Sequence, residues 1–209
     1  MEDLVNHALS GKCIVYPTTT QPALGCVLES RSLDILYKIK ERNPTLPLSI
    51  GVANIEQAKK IVHVPDDAIE ILEKFPPGSL TIILEAKEKL DIRLGGNRVA
   101  IRLISHKNTK KMLLKTGPLT ATSANKSGIK PVLNCKEAAE RLSSPENKVI
   151  GFSEDCLNKT PSTLISWYTV CESLESPSID VLREGLVSSK DVLTWWKNWT
   201  LSNGEMQGM

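Results

Sequence analysis

Cys13-Ile14-Val15-Tyr16-Pro17-Thr18-Thr19-Thr20 is the stretch on which the fold turns. An apolar run stops at a proline, and three hydroxyls follow. A run this short, with β-branched residues, reads as a buried strand, and Pro17 cannot extend the ladder. Polar residues just beyond a strand end are where α/β sheets build their sites. Upstream, Leu4, Val5, Ala8 and Leu9 form one face of a short helix that Gly11 stops. Downstream, Leu33, Leu36 and Tyr37 mark a helix running toward Asn43, ahead of Pro44, and Leu48–Val52 reads as a second strand. Ala68, Ile71, Leu72 and Phe75 recur at helical spacing until Pro76-Pro77-Gly78 breaks the pattern.

Leu80–Leu84 and Val99–Leu103 are strands by their β-branched content, and Leu119–Thr122 is a weaker one. Asn134 and Glu137 resemble a capping box that opens a helix carrying Cys135, Ala138, Ala139 and Leu142. Lys148–Phe152, Ser162–Trp167 and Ile179–Leu182 complete the strands. Helices and strands alternate early and strands dominate later. The fold class is therefore α/β: a single domain with a twisted, mixed parallel and antiparallel sheet. Residues 1–187 form that domain. Residues 188–209 form an appended amphipathic, Trp-rich helix and tail, opened by Ser188 and Asp191 and carrying Val192, Leu193, Trp195, Trp196 and Trp199. This helix is expected to dock on the sheet, with a partner surface as the other reading, and Ser202–Met209 is expected to fray.

Composition narrows the function classes. The 209 residues are 41% hydrophobic and 24% charged, enough apolar material for one core. Twenty-six basic against 24 acidic residues leave a net charge of +2, which excludes a strongly basic nucleic-acid coat protein. Five cysteines (Cys13, Cys26, Cys135, Cys156, Cys171) show no CxxC and no paired histidine, so they read as small buried hydrophobes in a reducing compartment. The start Met1-Glu2-Asp3 is acidic, and no apolar run approaches ~18 residues. A cytoplasmic protein with no membrane association is expected.

Four stretches carry candidate chemistry. Thr18–Thr20 offers hydroxyls after the first strand. Lys40 and Arg42 stand at a helix C-terminus, where cations suit the macrodipole but could equally be aimed at phosphates by the Pro44–Pro47 loop. Arg102 lies inside an apolar strand and needs an anionic partner, either a protein carboxylate or a ligand carboxylate. Thr122-Ser123-Ala124-Asn125-Lys126-Ser127-Gly128 is a turn of small donors that lets backbone approach a ligand closely. His7, His63 and His106 have no pattern around them and are expected at the surface.

Taken in order, Tyr16-Pro17-Thr18 through Gly25, Lys40-x-Arg42, Pro77–Thr81, Ala100-Ile101-Arg102, Thr122–Gly128, Pro161-Ser162-Thr163 and Arg183-Glu184-Gly185 resemble the motifs of the YrdC/Sua5 family of threonylcarbamoyl-AMP synthases. The resemblance spans residues 5 to 187. It implies a YrdC/RibB-like fold with a concave basic cavity, and a nucleotidyltransferase joining L-threonine, bicarbonate and ATP. The product, threonylcarbamoyl-AMP, feeds the t6A modification of tRNA through downstream tRNA threonylcarbamoyltransferase proteins. By position, Lys40, Arg42, Ser123, Asn125 and Arg183 would bind ATP, and Thr20, Arg102, Ala121 and Ser162 would bind threonine. No catalytic base and no protein-held metal are implied; Mg²⁺ would accompany ATP. The longer members' extra domain is not expected, which places the chain with the shorter, single-domain type. Thr19, Pro22, Ala23, Leu46 and Gly51 depart from the family pattern: the threonine loop loses an aromatic wall of the amino-acid pocket and is stiffened by Pro22, Leu46 replaces a polar or basic residue near ATP, and Gly51 stands where some members place His, which points to a relaxed or altered amino-acid specificity. Two other readings are a non-catalytic module for double-stranded RNA or tRNA, and related carbamoyl-adenylate chemistry with another substrate.

Overall fold

The computed structural model describes residues 1–157, 160–167 and 178–204. In chain order the elements are α1 (Glu2–Leu9), β1 (Ile14–Tyr16), β2 (Ala23–Gly25), α2 (Ser30–Lys40), β3 (Ile50–Val52), α3 (Ile55–Ala58), α4 (Asp66–Lys74), β4 (Leu80–Glu85), β5 (Arg98–Leu103), α5 (Lys107–Thr116), β6 (Leu119–Thr120), β7 (Thr122–Ser123), α6 (Cys135–Leu142), β8 (Ile150–Gly151), β9 (Thr163–Trp167), β10 (Ile179–Arg183) and α7 (Ser189–Gly204). The strands form two mixed sheets, ordered β7-β2-β1-β8 and β10-β9-β4-β5-β3-β6. β1/β8, β3/β5 and β4/β9 run parallel, while the hairpin-like pairs β1/β2, β4/β5 and β9/β10 run antiparallel.

The expected strand over Leu119–Thr122 is real but divided. β6 closes the edge of the six-stranded sheet against β3, and β7 closes the edge of the four-stranded sheet against β2. The chain therefore crosses from one sheet to the other at the single residue Ala121. That crossing is pinned on both sides: the Ala121 N–H donates to Ser49 O (2.7 Å), and its carbonyl accepts from Ser49 Oγ (2.6 Å). Tyr16, fully buried, donates its hydroxyl to Thr120 O (2.7 Å). Gly25 on β2 lies so close beneath this tyrosine that a Cβ would stand 2.5 Å from its ring and 2.8 Å from Thr120 O.

Several expectations are corrected. The helix running toward Asn43 ends at Lys40, because Glu41 takes left-handed backbone (φ 51°) and the Glu41 and Arg42 N–H groups fold back to Lys38 O and Tyr37 O. The strand begun at Leu48 narrows to β3, since the Leu48 N–H bonds Arg93 O outside the sheet. Residues 202–204 continue α7 rather than fray, with the Ser202 and Asn203 side chains bonded to carbonyls four residues back. The remainder of that tail, 205–209, and Cys171 lie outside the described residues. β2, α3 and α5 carry too few periodic apolar residues to be read from sequence. His63 is exposed as expected, but His7 and His106 are half-buried: His7 Nε2 lies 3.1 Å from Lys148 O, and His106 Nε2 lies 3.1 Å from a Glu154 carboxylate oxygen.

Both capping patterns form. Asn134 Oδ1 accepts the Glu137 N–H, and Ser188 Oγ accepts the Asp191 N–H. α7 then docks as one of its two readings required: Val192 and Trp196 are buried, the Trp196 ring meets Trp167 edge-on at 5.1 Å, and Trp199 Nε1 donates to Glu70 on α4 (2.8 Å).

Candidate functional site

Between the two sheets, beside the Ala121 crossing, lies a cavity of about 230 Å³. Its floor is one lateral row of the six-stranded sheet. Arg183 on β10 pairs with Leu164 on β9, Leu164 with Thr81 on β4, and Arg102 on β5 with Gly51 on β3. Thr81 and Arg102 are adjacent because the antiparallel register Ile82↔Ile101 places the next residues opposite each other. Neighbouring strands lie ~4.8 Å apart. Two arginines distant in sequence are thereby set three strands apart on one surface, with Leu164 and Thr81 between them.

Arg102 is buried, and its bonds all go to neutral oxygens. Nε and one terminal nitrogen donate to Gly78 O (3.2 and 3.1 Å), and that nitrogen also reaches Thr20 Oγ1 (2.7 Å) and Thr18 Oγ1 (3.2 Å). Among the described residues no carboxylate pairs with it. Burial, helped by the like charge of Arg183, pushes its pKa down to about 10. The Arg183 guanidinium donates to Ser162 O (2.8 Å), and burial and then Arg42 lower its pKa as well. Arg42 also lines the cavity, its fork held by Leu46 O (3.1 Å) and Pro47 O (3.2 Å). Three cations face one hollow, and no acidic residue is among the described residues that line it.

Of the nine residues expected at a site, Arg42, Ser123, Arg183, Thr20, Arg102, Ala121 and Ser162 line this cavity. Lys40 and Asn125 stand behind its wall. The Lys40 ammonium, 1% exposed, donates to the carbonyls of Ser123 (2.5 Å) and Asn125 (2.7 Å), and Lys40 O accepts from the Ser127 N–H. Burial and then Arg42 lower its pKa to about 8. Asn125 donates its amide to Lys126 O and Ile129 O, and its buried Oδ1 has no partner. Both residues thus shape the turn that presents Ser123. Among the departures from the family pattern, Pro22 and Ala23 line the cavity, whereas Leu46 is exposed and contributes its carbonyl. Gly51 has no room for a side chain: a Cβ would lie 2.9 Å from Tyr16 Oη and 3.3 Å from Ala121 Cβ.

Sequence reasoning gave no role to Thr81 or Ser49, which also line the cavity. Thr81 Oγ1 and Ser162 Oγ are 2.7 Å apart and both buried. Thr81 closes the motif Pro77–Thr81 and is a hydroxyl inside the apolar run Leu80–Leu84, and either signal could have marked it.

An α/β protein with a hollow between sheets, faced by arginines and hydroxyls and with no acid among the described residues that line it, has the charge complementarity that small anions need. More specifically, the chain belongs to the Sua5/YciO/YrdC family, whose model, described as "Telomere recombination", matches residues 7–185. It is 30% identical over 188 residues to a putative threonylcarbamoyl-AMP synthase of Methanocaldococcus jannaschii, covering 90% of this chain and 86% of that protein. Its fold matches the crystal structure of Pyrococcus abyssi Sua5 complexed with L-threonine (TM-score 0.75, 24% identity, 90% of this chain and 54% of that one). It also matches E. coli YciO (TM-score 0.73, 22% identity, 90% of each chain). The chain thus spans about half the length of the Pyrococcus protein and most of the other two.

Proposed function

We propose that this chain is a threonylcarbamoyl-AMP synthase, a nucleotidyltransferase that forms threonylcarbamoyl-AMP and pyrophosphate from L-threonine, bicarbonate and ATP. The observation that carries the reading is Arg102: a buried guanidinium on the cavity floor, held by neutral oxygens, with no carboxylate partner among the described residues. A buried charge of this kind calls for an anion, and the threonine carboxylate supplies one of the right size. Arg42 and Arg183 then face the phosphates, Arg183 from the far end of the floor, and Ser123 meets the nucleotide. Lys40 and Asn125 act on ATP through the turn that holds Ser123.

In the reaction the threonine amine takes up bicarbonate as a carbamate with loss of water. A carbamate oxygen attacks the α-phosphorus of ATP, and pyrophosphate leaves. No histidine is among the described residues that line the cavity, so the chain's contribution is to align the reactants and to set fixed cations where negative charge builds. Among the described residues no acid lines the cavity and no three His, Cys, Asp or Glu side chains cluster into a carboxylate cage for magnesium. Magnesium would enter with ATP and would supply neutralisation of the phosphate charge beside Arg42 and Arg183. The product passes to a tRNA threonylcarbamoyltransferase for t6A formation, in the cytoplasm; no helix among the described residues is long and apolar enough to cross a membrane.

The test is pyrophosphate release from ATP, with threonine and bicarbonate supplied together and each left out in turn. Release that requires both supports the proposal. Release independent of threonine refutes it, as does RNA binding with steep salt dependence and no adenylate formed.

A further inference from the structure

We infer that Thr81 is a specificity-determining residue: together with Ser162 it reads the side-chain hydroxyl of the amino acid and rejects the isosteric valine. The inference rests on the proposed synthase reaction. Thr81 stands on the cavity floor immediately beside Arg102, the carboxylate holder, and within one strand of Leu164. An amino acid anchored on Arg102 brings its side chain over this neighbour.

The hydroxyl count gives the pair its selectivity. Thr81 Oγ1 and Ser162 Oγ are bonded to each other at 2.7 Å, and among the described residues neither oxygen has another hydrogen-bond partner. Each hydroxyl carries one proton and two lone pairs. One proton is used between the two oxygens, so whichever way the bond points, one O–H and several lone pairs remain for a ligand. Both side chains are buried, with exposures of 2% and 3%. An alcohol both accepts and donates and so satisfies the pair. A methyl group in the same place leaves a buried proton unmatched, which is the situation in which sites reject an analogue lacking a hydroxyl. Thr20 and Ser49 also line the cavity, but Thr20 Oγ1 is engaged by Arg102 and Thr18 and Ser49 Oγ donates to Ala121 O, so the discrimination is assigned to the Thr81–Ser162 pair.

Replacing Thr81 by Val removes the hydroxyl and keeps the shape, placing a methyl beside Ser162. The readout is the ratio of kcat/KM for threonine to that for valine, measured by pyrophosphate release at saturating ATP and bicarbonate. A ratio cancels any common loss of folded enzyme, and Thr81→Ala gives a second hydroxyl-free variant should Thr81→Val fold poorly. The expected result is a fall in the ratio of about 10- to 100-fold in both, with Thr81→Ser staying near the parent value. An unchanged ratio in a variant that still uses threonine overturns the inference and leaves the synthase reading intact. A parent enzyme that does not use threonine at all removes the synthase reading, and this inference with it.

Discussion

Arg102→Met separates a ligand-binding role from a scaffolding one, because the structure sets opposing effects on stability and leaves binding uncompensated. Burial lowers the guanidinium pKa from its ordinary value to about 10, a penalty of about 3 kcal/mol on holding the charge inside the apo protein. Methionine removes that penalty while filling most of the space. Against it stand the lost bonds to Gly78 O, Thr18 and Thr20, each worth about 1 kcal/mol net, with the Gly78 carbonyl left short of a donor. The two sums are of similar size, so apo stability should move by no more than about 1 kcal/mol. A ligand carboxylate, by contrast, loses charge-assisted bonds worth about 1.5–3 kcal/mol each. The threonine KM should therefore rise by about 100-fold or more, with the KM for ATP little changed. Urea denaturation measures the first quantity, and pyrophosphate release against threonine concentration the second. Added threonine should also raise the melting temperature of the parent and not of the variant. A variant that loses several kcal/mol and binds threonine normally would falsify the assignment of Arg102 to the ligand.

Lys40→Met should reduce ATP use through the Ser123–Asn125 turn, since two buried carbonyls lose their donor. It also carries a pH signature: the folded protein releases this proton near pH 8 and the unfolded chain near 10.5, so the unfolded state binds more protons in between and the parent gains stability as pH rises through that window. Urea midpoints at pH 7.5 and 9.5 should show a parent-minus-variant difference that grows with pH, and a constant difference would remove Lys40 from the buried position. Gly51→Ala should destabilise by about 1–3 kcal/mol and lower activity, because the new methyl displaces Tyr16 from Thr120; thermal unfolding and turnover test both. Trp196→Ala should cost about 3–5 kcal/mol, because this ring fills the contact between α7 and Trp167. A loss below 1 kcal/mol would mean that α7 does not dock in solution.

The contrast between Lys40 and Arg42 shows what the sequence reveals and what it hides. Two cations spaced by one residue after a helix are plain to read, as are the apolar runs that become β4 and β5. Their separate fates depend on Glu41, whose left-handed backbone turns the chain between them. The turn leaves Lys40 within the last helical turn and buried, and delivers Arg42 to the cavity. Nothing in Glu41's chemistry announces φ 51°, a conformation usually supplied by glycine or asparagine. The sheet crossing at Ala121 was hidden for another reason: β6 and β7 have two residues each, fewer than any periodic pattern needs.

Register hid the most. Arg183, Leu164, Thr81, Arg102 and Gly51 come from five strands in an order the chain does not follow, yet pairing sets them in one row. The motifs Pro77–Thr81, Ala100–Arg102 and Arg183–Gly185 were legible as separate signals, and their alignment was not. A slip of one residue between β4 and β5 would carry Arg102 to the opposite face of the sheet while leaving every motif intact. The turn at Pro76–Gly78, where Gly78 takes φ 78° and its carbonyl holds Arg102, therefore does two things together: it fixes where β4 begins and supplies the acceptor that points the arginine at the cavity. In this fold the same few atoms set the register and the charge.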